Sequence, residues 1–153
     1  MTDLDPTDIR LLAALQRDAQ LTTQELGDGL GLSASQTGRR RQRLEAAGYI
    51  RHYTARLVPA KLGLDVQAFV QVQMASQVPA HAADFLRTVR ARPEIISAWT
   101  LTGEADYLLR VFTPDLARLN LLIHEVILPM HAVARVQSQI VMDQPKADTG
   151  LPL

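Results

Sequence analysis

Apolar residues follow two different rhythms along this chain, and the change of rhythm divides it. Ile9, Leu12, Ala13 and Leu15 recur at helical spacing behind Asp5-Pro6-Thr7-Asp8. That tetrapeptide offers an N-cap acceptor, a proline at N1 where its missing N–H costs nothing, and an acid in the first turn. Thr22-Thr23-Gln24-Glu25 reads as a capping box that opens a second helix carrying Leu26 and Leu30, broken at Gly31-Leu32. Ser33-Ala34-Ser35-Gln36 is another such box, and the helix it opens is ended by Gly48. Three short helices, the last two joined by a tight glycine-containing turn, predict a helix-turn-helix. His52 to Val58 alternates like a strand and reads as a wing, and Pro59 to Leu64 as a turn-rich link.

From Val66 the period drops to two. Val66, Ala68, Val70, Val72 and Met74 alternate with Gln67, Phe69, Gln71 and Gln73, which predicts a strand with one apolar face. Ala82, Phe85, Leu86 and Val89 return to helical spacing until Arg92-Pro93. Ile95 to Leu101 and Tyr107 to Phe112 read as strands around Thr102-Gly103-Glu104-Ala105-Asp106, where the glycine supplies a positive φ. Leu116, Leu119, Leu122, Ile123, Val126 and Ile127 line a further helix, and Val133 to Met142 a last strand. The order is βαββαβ, the ferredoxin-like split unit. Two helices cover one face of such a sheet; the other, with its glutamines and Phe69, has no cover, which predicts self-association.

Composition narrows the chemistry. The 153 residues are 47% hydrophobic with no cysteine, which excludes thiolate metal sites, cysteine nucleophiles and disulfide scaffolds. An acidic Met1–Asp5 start and the lack of any apolar run near the ~20 residues of a membrane span predict a cytoplasmic protein with no membrane partner. Net charge is zero, yet residues 33–61 hold seven basic residues and one acid, the clustering a polyanion partner needs.

Projecting the third helix at about 100° per residue sorts this charge. Thr37, Leu44 and Arg41 fall on the side facing the other helices. Ser35, Arg39, Gln42 and Arg43 fall opposite, between about 140° and 240° from Thr37, with Gln36 at their margin and Arg40 flanking the core. Arginine and glutamine can fork onto guanine or adenine edges, and hydroxyls and helix N-termini hold phosphates. Candidate contacts to double-stranded DNA are therefore Ser33, Ser35, Gln36, Arg39, Arg40, Gln42 and Arg43.

Leu32-Ser33, Arg40, Arg43-Leu44-Glu45, Gly48-Tyr49-Ile50, Leu62-Gly63 and Thr102-Gly103-Glu104-Ala105-Asp106-Tyr107-Leu108-Leu109 together resemble the leucine-responsive/asparagine regulator (Lrp/AsnC) family, in order and spacing, over about residues 4–142. The resemblance implies an α+β transcription regulator: an N-terminal winged helix-turn-helix over residues 1–51, a wing and hinge over 52–65, a ferredoxin-like domain of the RAM type over 66–142 that senses an effector and drives assembly, and a tail over 143–153. It also implies homodimers formed through the sheet and assembled into rings, often octamers. A small-molecule effector, usually an amino acid, would sit between dimers near the Gly-x-x-Asp turn. Carried over by motif, the effector positions are Thr102, Gly103 and Asp106, with Leu116, Gln139 and Ile140 beside them. Backbone N–H groups freed at a glycine turn suit a carboxylate, and an aspartate suits an ammonium group; Asp106 capping its own turn is the alternative.

The chain also departs from the family pattern. Thr37 and Arg41 stand where aliphatic residues are usual, Gly38 lies inside the third helix, and Gly27 and Gly29 predict a softened second helix. Met130-His131-Ala132-Val133 replaces the usual Leu-Pro-Gly-Val. Gly27-Asp28-Gly29-Leu30-Gly31 follows no strand and does not qualify as a nucleotide loop. The four histidines, His52, His81, His124 and His131, are scattered, and neither a metal nor a cofactor is expected. Haem-pathway decarboxylases resemble these regulators in architecture but carry a histidine in the hairpin between the central strands; this chain has Gly103-Glu104-Ala105-Asp106 there, so no enzymatic activity is expected. An amino-acid-binding regulatory protein without DNA activity stays open as an alternative.

Overall fold

A computed structural model describes residues 4–75 and 78–153. They form two compact units, one of the residues up to Arg56 together with Lys146–Leu153, the other Leu57–Pro145.

In the first unit, called the head below, α1 (Pro6–Arg17), α2 (Thr23–Leu30) and α3 (Ala34–Ala46) each begin at a reciprocal capping box: Asp5 with Asp8, Thr22 with Glu25, and Ser33 with Gln36. Gly31 ends α2 in the left-handed region at φ 71°, as its position after Leu30 predicts. Leu11, Leu15, Leu26 and Leu44 form the head's core, with Leu4, Leu12, Leu21, Leu30 and Ile50 packed around them. Each fully buried leucine contributes about 1.5–3 kcal/mol.

Two sequence expectations for the head are corrected. Residues 52–58 form no strand; among the described residues no other segment pairs with the stretch in a ladder, and a strand needs such a partner. Gly27 is a packing glycine rather than a soft spot, since a Cβ there would stand 2.6 Å from the Leu32 carbonyl and 3.1 Å from the Thr37 hydroxyl. It lets α2 and the start of α3 approach closely.

The second unit is an antiparallel sheet in the order β2-β3-β1-β4. Its elements are β1 (Val66–Met74), α4 (Pro79–Ala91), β2 (Ile95–Thr100), β3 (Tyr107–Thr113), α5 (Leu116–Leu121) and β4 (Val133–Ile140). Before β1 there is a single 3-10 turn, Pro59–Leu62, closed by Gly63 at φ 72°. Ala68, Val70 and Val72 of β1 and Leu109 and Val111 of β3 face Phe85, Val89, Leu119, Leu122, Ile123 and Ile127. The predicted second helix changes pitch partway: past Leu121 the turn widens into a π-helix over Leu122–Ile127. β4 ends at Ile140 rather than Met142, although the Val141 N–H still donates to Gln67.

Register fixes what the other sheet face shows. Gln71 lies between Leu108 and Gln137, Phe69 between Arg110 and Gln139, and Trp99 opposite Leu108, all on the side away from the core. Trp99 is 46% exposed. No helix among the described residues is long and apolar enough to cross a membrane.

Candidate nucleic-acid interface and effector positions

The cap of α3 uses up two of the candidate side chains. The Ser33 hydroxyl accepts from the Gln36 N–H, and the Gln36 amide oxygen accepts from both the N–H and the hydroxyl of Ser33. Thr37, fully buried where a hydrocarbon would be ordinary, satisfies its hydroxyl by donating to the Ser33 carbonyl at 3.0 Å.

Arg40 and Arg43 are engaged by α1. Asp8 is 1% exposed, and each of its oxygens meets an arginine of α3: Arg40 Nη1 at 2.8 Å and Arg43 Nη2 at 2.5 Å. Arg40 Nη1 also lies 2.6 Å from Asp5. A carboxylate this deep must be paired, and here one acid crosslinks the first turn of α1 to two consecutive turns of α3. The Asp5 carboxyl sits below the usual carboxylate range, first because the Asp8 N–H bonds it and then because Arg40 does; the same pairs hold Arg40 above its ordinary value. Arg43 nevertheless keeps 45% of its side chain exposed, against 29% for Arg40.

Arg41 turns inward, as its wheel position predicts. Its Nε meets Glu45 at 3.0 Å and its guanidinium lies 4.9 Å from the centre of the Tyr53 ring, whose hydroxyl donates to Glu45 at 2.7 Å. The Tyr53 hydroxyl, ahead of Arg41, depresses the Glu45 carboxyl. The arginine's alkyl stem and the tyrosine supply the packing an aliphatic residue would give. Ser35, Arg39 and Gln42 are exposed, and among the described residues Arg39 has no ion pair. The free outer face of α3 is thus Ser35, Arg39, Gln42 and the outer part of Arg43.

The six effector candidates separate within one chain. Thr102, Gly103 and Asp106 lie in the hairpin, with Gly103 at φ 116°. Asp106 does not cap its own turn: its carboxylate accepts from the Met74 N–H at 2.7 Å and its N–H donates to Val72, which pins the hairpin to one end of β1. Gln139 and Ile140 pair with Phe69 and Ala68 toward the opposite end. Successive strand residues point to opposite faces, so Gln139 lies on the open face and Ile140 on the helix side. There Ile140 shares a cleft with Leu116, Asn120, His124 and Ser138. Three to six residues of strand, roughly 10–20 Å, separate the hairpin from Gln139 and Ile140 along β1. Sequence reading did not single out Asp5, Asp8, His124 or Ser138 for these sites, because the packing that brings them to their partners is not local in the chain.

Comparison with known proteins finds two families along the chain. Residues 4–51 match the winged helix-turn-helix DNA-binding family, and residues 67–151 the Lrp/AsnC ligand binding domain family. The chain is 33% identical over all 153 residues to the Bkd operon transcriptional regulator of Pseudomonas aeruginosa, covering the full length of both. It is 33% identical over 150 residues to the DNA-binding transcriptional activator DecR of Escherichia coli, covering 98% and 99% of the two chains. Among solved structures, a Neisseria meningitidis transcriptional regulator in complex with L-Met superposes with a TM-score of 0.94 at 39% identity, over 98% of this chain and 97% of that one.

Proposed function

This chain belongs to the Lrp/AsnC family of transcriptional regulators, and from that premise we propose how its residues bind DNA and sense an effector. It is a DNA-binding regulator with an amino-acid-binding domain. The observation that carries the DNA reading is the outer face of α3, where Arg39, Gln42 and Ser35 are exposed and Arg43 is held in place from behind. In this reading α3 enters the major groove, Arg39 and Gln42 contact base edges or phosphate, and Arg43 uses the donors that Asp8 leaves free. Ser33 and Gln36 serve through the helix N-terminus they build, which suits a backbone phosphate. Arg40, turned toward Asp5 and Asp8, supports the others. The relatives are transcriptional regulators, and the chain is read as having no enzymatic activity.

The sensing site is read as shared between subunits. Thr102, Gly103 and Asp106 lie at one end of the sheet and Leu116, Gln139 and Ile140 toward the other, so a second copy is needed to bring both sets to one ligand. With its carboxylate already bonded to Met74, Asp106 holds the turn in place, and the turn's free N–H groups take the ligand carboxylate. The solved L-Met complex of the Neisseria regulator supports an amino acid as the ligand class. The uncovered sheet face supports dimers, and a ring such as an octamer follows from a ligand site between dimers. The cellular compartment is read as the cytoplasm.

Gel-shift and anisotropy titrations with genomic fragments test the DNA reading: R39A with R43A is expected to abolish binding while leaving assembly intact, and unchanged affinity overturns the assignment of α3. Thermal-shift screening against the twenty amino acids tests the ligand class, since a ligand at 100 times its dissociation constant stabilises by about 2.7 kcal/mol.

A further inference from the structure

The head contains a feature that DNA binding does not use. After the sheet unit is complete, the chain's last residues, Lys146–Leu153, become part of the head. There the carboxamide of Gln16, in the last turn of α1, meets both backbone groups of Leu151: its oxygen accepts the Leu151 N–H at 2.6 Å and its nitrogen donates to the Leu151 carbonyl at 3.2 Å. This is the pairing that one strand residue gives another, supplied by a side chain. Arg56 donates to the carbonyl of Asp148 from the other side. Leu151 and Leu153 border an open groove of about 410 Å³ whose apolar wall includes Leu4, Leu12, Leu15 and Ile50.

We propose that the surface presented by Gln16 and Arg56 is a peptide site for the chain's own Asp148–Leu153 segment, which closes one side of this groove, and that seating the segment braces the end of α1 against the residues that follow α3. Three observations support the choice of occupant. Gln16 and Arg56 recognise main-chain groups, so the ligand is an extended peptide rather than a compact metabolite. A Cβ on Gly150 would stand 2.8 Å from the Gln16 amide oxygen and 3.1 Å from Gln16 Cβ, so a side chain there would push the carboxamide off the Leu151 backbone. Pro152 follows with a fixed φ and no N–H to leave unpaired. Leu151 and Leu153 are 75% and 58% exposed, so seating is shallow and weak; what makes it persist is the covalent tether, which supplies an effective concentration in the millimolar range.

The test compares amide spectra of the full chain with those of a chain ending at Pro145. Truncation is expected to shift the signals of Gln16 and of Tyr49 to Arg56, and a synthetic peptide of residues Lys146–Leu153 to return them at submillimolar to millimolar concentration. The same peptide with G150V is expected not to return them, and the full-length Q16A chain to resemble the truncated one. Identical head spectra with and without the segment overturn the proposal, as does a peptide that binds the truncated Q16A chain equally well. Mixing labelled truncated chain with unlabelled full-length chain separates the possible donors: recovery of the labelled signals in that mixture assigns the segment to a neighbouring subunit's groove and overturns seating on its own head.

Discussion

Asp8 is a buried charge whose two oxygens are both taken by arginines of α3, so its removal affects more than its own position. D8A leaves Arg40 and Arg43 without their shared partner. Both arginines are partly solvated, so a cost of about 2–3 kcal/mol is expected, below the roughly 3–5 kcal/mol of a fully buried pair. Thermal melting followed by far-UV circular dichroism reads it. R39A is the contrasting case: no ion pair among the described residues holds Arg39, so the melting temperature should stay put while DNA affinity falls roughly tenfold. The head's acids also give it a defined acid response. Asp5 is lowered by the Asp8 N–H and Arg40, Glu25 by the Thr22 N–H, and Glu45 by the Tyr53 hydroxyl and Arg41. Folded values below unfolded ones mean the contribution is complete above the unfolded values and lost as pH falls through the folded ones. The head should therefore lose stability on acidification from about pH 5 downward, seen as a falling melting temperature of the helical signal.

At the scale of the element, the two glycines of α2 make opposite predictions that sequence alone could not separate. Gly27 faces the Leu32 carbonyl at a distance no real Cβ adopts, whereas nothing lies within 4 Å of a Cβ at Gly29. G27A should destabilise by about 1–3 kcal/mol through forced separation of α2 from the turn. G29A should stabilise by about 0.5–1 kcal/mol, because a helix gains when glycine's unfolded freedom is removed. Equal signs for the two, measured by chemical denaturation, would contradict the packing described. Helix starts were legible because a capping box is local: Asp5 to Asp8, Thr22 to Glu25 and Ser33 to Gln36 each lie three residues apart. The alternation of Val66 to Met74 likewise showed its buried face. The stretch 52–58 misled because alternation reports what a strand would bury and not whether a partner exists. The π-helical turn after Leu121 left no trace because its apolar spacing fits an α-helix as well. The charge network was hidden for another reason: Asp8 and Arg43 are 35 residues apart, and only the packing of α1 on α3 brings them together.

For the whole molecule, charge pairing sets how strongly salt weakens DNA binding. Arg40 and Arg41 answer acids of their own head, so the formal count of seven basic residues in 33–61 overstates what phosphate meets. If each subunit neutralises about three phosphates, a dimer should show a slope near −5 in log K against log[salt]. A slope steeper than about −9 would mean the internal pairs open on DNA. The open sheet face, with Trp99, Phe69, Leu108 and the cation–π pair of Arg110 and Phe112, was legible as a surface needing cover. The candidate effector positions were legible only as names. Motif matching placed Thr102, Gly103 and Asp106 with Gln139 and Ile140, while the antiparallel register of β1 and β4 puts them at different ends.

The bond between Asp8 and two arginines also sets the smallest portion of this head that can be exchanged. A chimera that transplants α3 alone into a foreign scaffold would carry two cations with no counter-ion and a hydroxyl where the host expects hydrocarbon. The portable module therefore runs from Leu4 to Tyr53, and on the proposed reading of α3 a change of specificity would vary Ser35, Arg39 and Gln42 while leaving the anchoring acid untouched.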